Sequence, residues 1–224
     1  MQQHTKQVPV INGNLRKHIV EVPKVISQCS GIRIFGRRIK SLIFTTDIAI
    51  IRNCNADAVI AVYPFTPQPM ISHALIMASD IPLFCGVGGG TTRGKRVIDL
   101  ASDAEHQGAM GVVLNAPTSN ETLASVCERL EIPAVITVLN EQADIAARLE
   151  AGASILNVSA STRTPEVVQA IRNDFPDVPI IATGGPTEES ILRTIEAGAN
   201  AISYTPPTNA ELFHIMMNEY RGET

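Results

Sequence analysis

The sequence predicts a single α/β domain, a TIM (β/α)8 barrel with an N-terminal helical extension, on three observations. Eight short apolar runs alternate with eight helical runs between residues 42 and 220. The apolar runs are continuous rather than alternating, which marks strands buried on both faces, as in a parallel sheet covered by helices. A glycine unit recurs about every 45 residues, as Gln107-Gly108-Ala109, Ala151-Gly152-Ala153 and Ala197-Gly198-Ala199, each time between a helical run and an apolar run. Glycine is the usual residue just past a helix end, and this spacing is close to two strand–helix steps. Finally, the chain is 45% apolar but only 4% aromatic, so its core is aliphatic. One outer helix per strand, eight times over, closes best as a barrel. A doubly wound open sheet is the alternative that the same alternation leaves.

With 224 residues the chain lies within the barrel range and reads as one domain over 1–224, with 1–40 an extension and 41–224 the barrel. Leu15 to Ser30 reads as a helix interrupted or begun at Pro23, a lid for the barrel bottom, and Arg33 to Lys40 as a basic connection. The strands follow as Leu42–Thr46, Ala58–Tyr63, Leu83–Gly86, Gly111–Asn115, Ala134–Leu139, Ser154–Val158, Ile180–Thr183 and Ala201–Tyr204. The helices lie between and after them: Ile48–Cys54, Gln68–Ser79, Lys95–Gln107, Glu121–Leu130, Glu141–Ala151, Pro165–Asp174, Glu188–Ala197 and Asn209–Tyr220. Start signals support several: Asn120 before Glu121, Thr164 before Pro165, and Thr187 before two glutamates.

A net charge of −4 argues against nucleic acid or an anionic membrane as partners of the whole chain. Cys29, Cys54, Cys85 and Cys127 are far apart with no CxxC pair, which fits a reduced cytoplasmic protein and argues against structural zinc. No apolar run approaches membrane-spanning length. Neither a metal nor a cofactor is expected, and a homo-oligomer is compatible with the fold.

Function in a barrel gathers at the C-terminal strand ends. Those ends carry Asp47, Tyr63, Cys85, Asn115, Thr137 or Asn140, Asn157, Ser159, Thr183, and Tyr204 with Thr205, a polar and mostly uncharged rim. Gly184 and Gly185 follow the seventh strand and precede a helix, so their N–H groups are expected to turn outward and hold a phosphate with that helix start. Thr183, Tyr204, Thr205 and Thr208 would complete the cradle. The run Gly89 to Lys95 fits G-x-x-x-x-G-K, but Arg96 stands where a nucleotide-binding loop needs Ser or Thr. It reads instead as a flexible basic loop, with Arg93 and Lys95 placed to meet an anion. Asp47 is a candidate proton-transfer group or metal ligand, and equally a helix cap. Asn115 and Asn157 are candidates for orienting substrate hydroxyl or carbonyl groups. Cys85 has no histidine at a strand top to activate it and reads as packing.

The segment Thr183-Gly184-Gly185 through Glu196-Ala197-Gly198-Ala199-Asn200-Ala201-Ile202 resembles the C-terminal quarter of the ribulose-phosphate-binding barrels. Their relatives include the keto-deoxy-phosphogluconate aldolases, thiazole synthases and glycerol-3-phosphate-responsive antiterminators. The resemblance covers about 45 residues and implies that these loops bind phosphate. The chain also resembles bacterial barrel proteins known only as hydrolases of unassigned activity. It departs from the aldolases in having no lysine on the sixth strand, where Ser154–Val158 stands. The expected function is binding of a small phosphorylated metabolite, by an isomerase- or lyase-type enzyme. The alternatives are a non-catalytic sensor and a hydrolase.

Overall fold

The computed structural model describes residues 8–11, 13 and 18–222. Eight parallel strands close into a barrel in chain order, the last pairing with the first. They are β3 (Ser41–Phe44), β4 (Ala58–Ala61), β5 (Leu83–Gly88), β6 (Gly111–Leu114), β7 (Ala134–Val138), β8 (Ile155–Val158), β9 (Ile180–Thr183) and β10 (Ala201–Tyr204). Each is followed by a helix: α1 (Ile48–Arg52), α2 (Pro69–Ala78), α3 (Lys95–His106), α4 (Asn120–Cys127), α5 (Ile145–Glu150), α6 (Thr164–Asp174), α7 (Glu188–Glu196) and α8 (Asn209–Arg221). Every strand and helix expected in the barrel is present, and closure of β10 onto β3 excludes the open sheet.

The recurring glycines do what their position demands. Gly108, Gly152 and Gly198 have φ of +96°, +95° and +109°. The next residue reaches back to close the helix: Ala109 N to Ala104 O, Ala153 N to Arg148 O, and Ala199 N to Thr194 O. This paired closure is the Schellman arrangement, which needs a left-handed residue at its corner.

The N-terminal extension differs from the expected helix. Residues 15–17 of that segment lie outside the described residues; the remainder holds one short 3-10 helix, Lys24–Gln28, packed beside α7. Pro23 precedes it, and the proline ring forces Val22 toward extended backbone, so no helix can run through. The basic segment is a β-hairpin, β1 (Ile32–Ile34) with β2 (Arg37–Ile39), turning at Phe35 and Gly36 with φ of +45° and +82°. Ile32, Ile34 and Ile39 share one face, with Arg37 at its exposed turn end, and Arg33 and Arg38 share the other.

That alternation divides the core. Ile32, Ile34 and Ile39 join Leu42, Ile60, Phe84, Val113, Val135, Ile155 and Ile181 in one buried cluster, which fills the barrel interior and is plugged from below by the hairpin. A second, larger cluster lies between the strands and the helix ring, and includes Ile43, Val59, Cys85, Val112, Ile136, Leu156, Ile180 and Ile202. Successive strand residues thus alternate between the two clusters, so both faces read as apolar.

Candidate functional site

The inward positions change character toward the C-terminal ends of the strands. Thr137 pairs in register with Asn157, and Thr183 with Ser203. These residues lie one pleat above Val135, Ile155, Ile181 and Ala201 of the interior cluster, so alternation points them inward as well. Four adjacent strands, β7 to β10, therefore line one wall with small neutral polar groups. Ser203 is buried, whereas Thr137, Asn157 and Thr183 are half-buried and reach the mouth. By the same alternation, Phe44 and Val62 contribute an apolar wall opposite, Phe44 being 39% exposed although it faces the barrel axis. Asn157 Nδ2 donates to Thr137 Oγ1 at 3.4 Å, while Asn157 Oδ1 is buried and has no partner among the described residues.

Gly184, Gly185, Tyr204 and Thr205 come together on a groove of about 890 Å³, bounded on its far side by Glu211, His214 and Ile215 of α8. The expectation of two outward N–H groups requires correction. Gly184 N–H donates to Ser203 O at 3.0 Å and belongs to the strand ladder. Added Cβ atoms would stand 2.8 Å from Ile202 Cγ2 at Gly184 and 2.2 Å from Ser190 Oγ at Gly185. Both glycines therefore let α7 settle closely onto the strand top. Thr187 and Ser190 cap each other reciprocally at the helix start, which occupies two further N–H groups. The backbone N–H groups of Gly185, Glu188 and Glu189 donate to no such acceptor among the described residues. Across the groove, hydrogen bonds from the Thr208 side chain and backbone hold the Glu211 carboxyl below its ordinary range, so the groove carries a negative charge of its own.

A smaller pocket of about 250 Å³ lies between the loops after β4, β5 and β6, lined by Tyr63, Gly86, Thr92 and Asn115. Its glycine loop folds tightly on the next loop: Asn115 N donates to Gly88 O at 2.9 Å. An added Cβ at Gly89 would approach Thr118 Oγ1 to 2.4 Å. Arg93 on this loop and Lys95 at the start of α3 are exposed and line neither cavity. Arg93 Nε turns back to Gly90 O at 2.9 Å. Asp47 caps α1, its Oδ1 accepting from Ala49 N at 2.8 Å and Ile50 N at 3.2 Å. Cys85 is buried against the helices, and burial raises its thiol to about 11.

The structure thus unites the groove residues, groups Asn157 with Thr183, and leaves Asn115, Asp47, Arg93 and Lys95 at separate points of the same mouth. Sequence reasoning missed Ser203, although its place two residues from Thr205 and from Ala201 carries the alternation that turns it inward. It also missed the ion pair of Arg163 with Glu141 at 2.6 Å, which bridges the loops after β7 and β8.

No protein-family model matches the chain, and a search of curated proteins finds no match. Solved structures do resemble it. A candidate phosphonomutase of Burkholderia cenocepacia J2315 superposes with a TM-score of 0.64 at 16% identity, covering 88% of this chain and 96% of that one. A phosphonopyruvate hydrolase bound to oxalate and Mg2+ gives 0.61 at 14%, covering 83% and 80%. Oxaloacetate acetylhydrolase gives 0.62 at 13%, covering 88% and 84%. Likeness at this level establishes the TIM-type barrel. A further neighbour, 2,3-dimethylmalate lyase, is described as a member of the phosphoenolpyruvate mutase/isocitrate lyase superfamily. These neighbours are not the ribulose-phosphate-binding barrels that the Gly184–Gly185 segment resembles, because the features shared by so many barrels lie in strand and turn geometry. Among the described residues no group of three or more His, Cys, Asp or Glu side chains could hold a metal ion. No helix among the described residues is long and apolar enough to cross a membrane.

Proposed function

We propose that the protein is an enzyme of the lyase, isomerase or hydrolase type, acting at the C-terminal mouth on a small metabolite that carries a phosphate. The groove over the ends of β9 and β10 carries this reading. Gly185 lines it beside the start of a nine-residue helix, and the N–H groups of Gly185, Glu188 and Glu189 have no acceptor among the described residues; directed donors and the helix dipole at such a position favour an anion. Thr183, Tyr204 and Thr205 add hydroxyl donors around it. The mutase, lyase and hydrolase names of the structural neighbours support an enzymatic role.

In this reading Asp47 transfers the proton. Capping occupies its Oδ1, and Oδ2, which has no partner among the described residues, accepts a proton from a substrate at the rim. Asn115 and Asn157 orient hydroxyl or carbonyl groups. Arg93 and Lys95 meet a second anionic group when their glycine loop closes. The four free thiols fit a reducing compartment such as the cytoplasm.

Amide NMR during titration with inorganic phosphate tests the anion site. The Gly185, Glu188 and Glu189 resonances should shift together and saturate. Shifts scattered elsewhere, with these three unmoved, would remove the phosphate from this groove. A turnover screen of phosphate monoesters then separates enzyme from sensor, since a sensor binds without converting.

A further inference from the structure

The inner wall of β7 to β10 has a composition that neither the phosphate groove nor the rim accounts for. Thr137, Asn157, Thr183 and Ser203 offer three hydroxyls and one carboxamide on adjacent strands, without a charge among them. A barrel interior filled only for stability favours branched aliphatic side chains at such positions, as the layer below has in Val135, Ile155 and Ile181. Burying neutral polar groups costs free energy unless they are paired. Asn157 is left incompletely paired: its Nδ2 makes one long bond of 3.4 Å, and its buried Oδ1 makes none among the described residues. Turning the amide over exchanges its two ends and still leaves one unmatched.

We propose that this wall binds the uncharged, hydroxyl- or carbonyl-bearing body of the substrate. The substrate is then a small polyol- or ketose-type phosphate whose body, between the phosphate and any second anionic group at the rim, carries no charge. This rests on the phosphate reading of the neighbouring groove. Thr183 and Ser203 stand on the same two strands, β9 and β10, whose ends form that groove, so one short molecule spans both. Its hydroxyls give and accept hydrogen bonds at the wall, and one supplies the donor that Asn157 Oδ1 lacks. Its carbon chain lies against Phe44 and Val62. A second carboxylate in this position would meet no cation, so dianionic acids such as oxalate are excluded from the wall.

Calorimetric titration of the full chain with four probes tests this: inorganic phosphate, erythritol phosphate, erythritol and oxalate. Erythritol phosphate should bind roughly tenfold or more tightly than inorganic phosphate, as expected for one or two additional net hydrogen bonds. Asn157→Leu and Thr137→Val should each remove most of that difference and leave inorganic phosphate binding unchanged. Ligand-free Asn157→Leu should melt no lower than wild type, because it deletes an unmatched buried group; a purely structural asparagine would melt lower. The proposal is overturned if the tenfold difference survives in both variants, or if oxalate binds as tightly as the ester with the same dependence on Asn157. Binding of erythritol with no binding of phosphate or its ester would overturn the groove and retain the wall. Failure of all four probes would overturn both.

Discussion

Arg172 Nη2 donates to Asn200 Oδ1 at 3.0 Å, joining the end of α6 to the turn that enters β10. The same guanidinium donates to Pro176 O, Val178 O and Gly198 O at 2.6, 2.9 and 2.8 Å. Asn200 in turn accepts from Ile180 N, donates to Ser30 Oγ, and offers its carbonyl to Gly31 N. Two side chains thus tie two bottom loops and the N-terminal extension to the barrel.

Arg172→Ala should therefore be costly at a position remote from the mouth. It strands several half-buried carbonyls at once, for a loss of about 2–4 kcal/mol. The melting temperature should fall by roughly 5–15 °C, with ligand affinity at the mouth unchanged at temperatures where the protein is folded. A fall of a degree or less would mean that water satisfies those carbonyls equally well.

Gly108 and Gly152 share nearly the same backbone, with φ of +96° and +95°, but differ in surroundings. An added Cβ at Gly108 meets nothing within 4 Å, whereas at Gly152 it stands 2.8 Å from Cys127 Cβ. Gly108→Ala should cost about 1 kcal/mol from the left-handed conformation alone. Gly152→Ala should cost about 1–2 kcal/mol more, from overpacking. Urea denaturation midpoints will rank them; equal losses would show that the α4 end moves aside freely.

Burial holds the Cys29 and Cys85 thiols at about 11, above their ordinary 9.0. The unfolded chain then releases these protons near pH 9 while the folded chain keeps them. Stability from this source is complete below pH 9 and is lost as the pH rises toward 11. Cys85→Ala should flatten that alkaline decline in chemical denaturation curves measured at several pH values. An unchanged decline would assign it to other groups.

Asp47 joins a structural task to the proposed catalytic one, and two substitutions separate them. Asn caps helices as well as Asp does, so Asp47→Asn should leave the melting curve in place while turnover of a converted phosphate ester falls about 10²–10⁴-fold. Asp47→Ala should lower both, with a stability loss of about 1 kcal/mol from the missing cap. Full turnover by Asp47→Asn would leave Asp47 as a cap alone.

The sequence by itself determined the strands and helices and favoured a barrel, while the pairing of β10 with β3 excluded the open sheet. Continuous apolar runs, capping residues and the glycines at 108, 152 and 198 act over a few residues, and such local signals survive in one dimension. The N-terminal extension was read less well, because Pro23 breaks the helix and three isoleucines in a short hairpin carry too little periodicity to announce a plug. At the mouth, position was legible and partnership was not. Asn157 and Thr183 could be assigned to strand ends from their runs. That Gly184 N–H is bonded by Ser203 O, or that Thr137, Asn157, Thr183 and Ser203 form one wall, depended on tertiary structure. These groups come from strands separated by long helical excursions, and only closure of the barrel sets the register that brings them together and turns them inward.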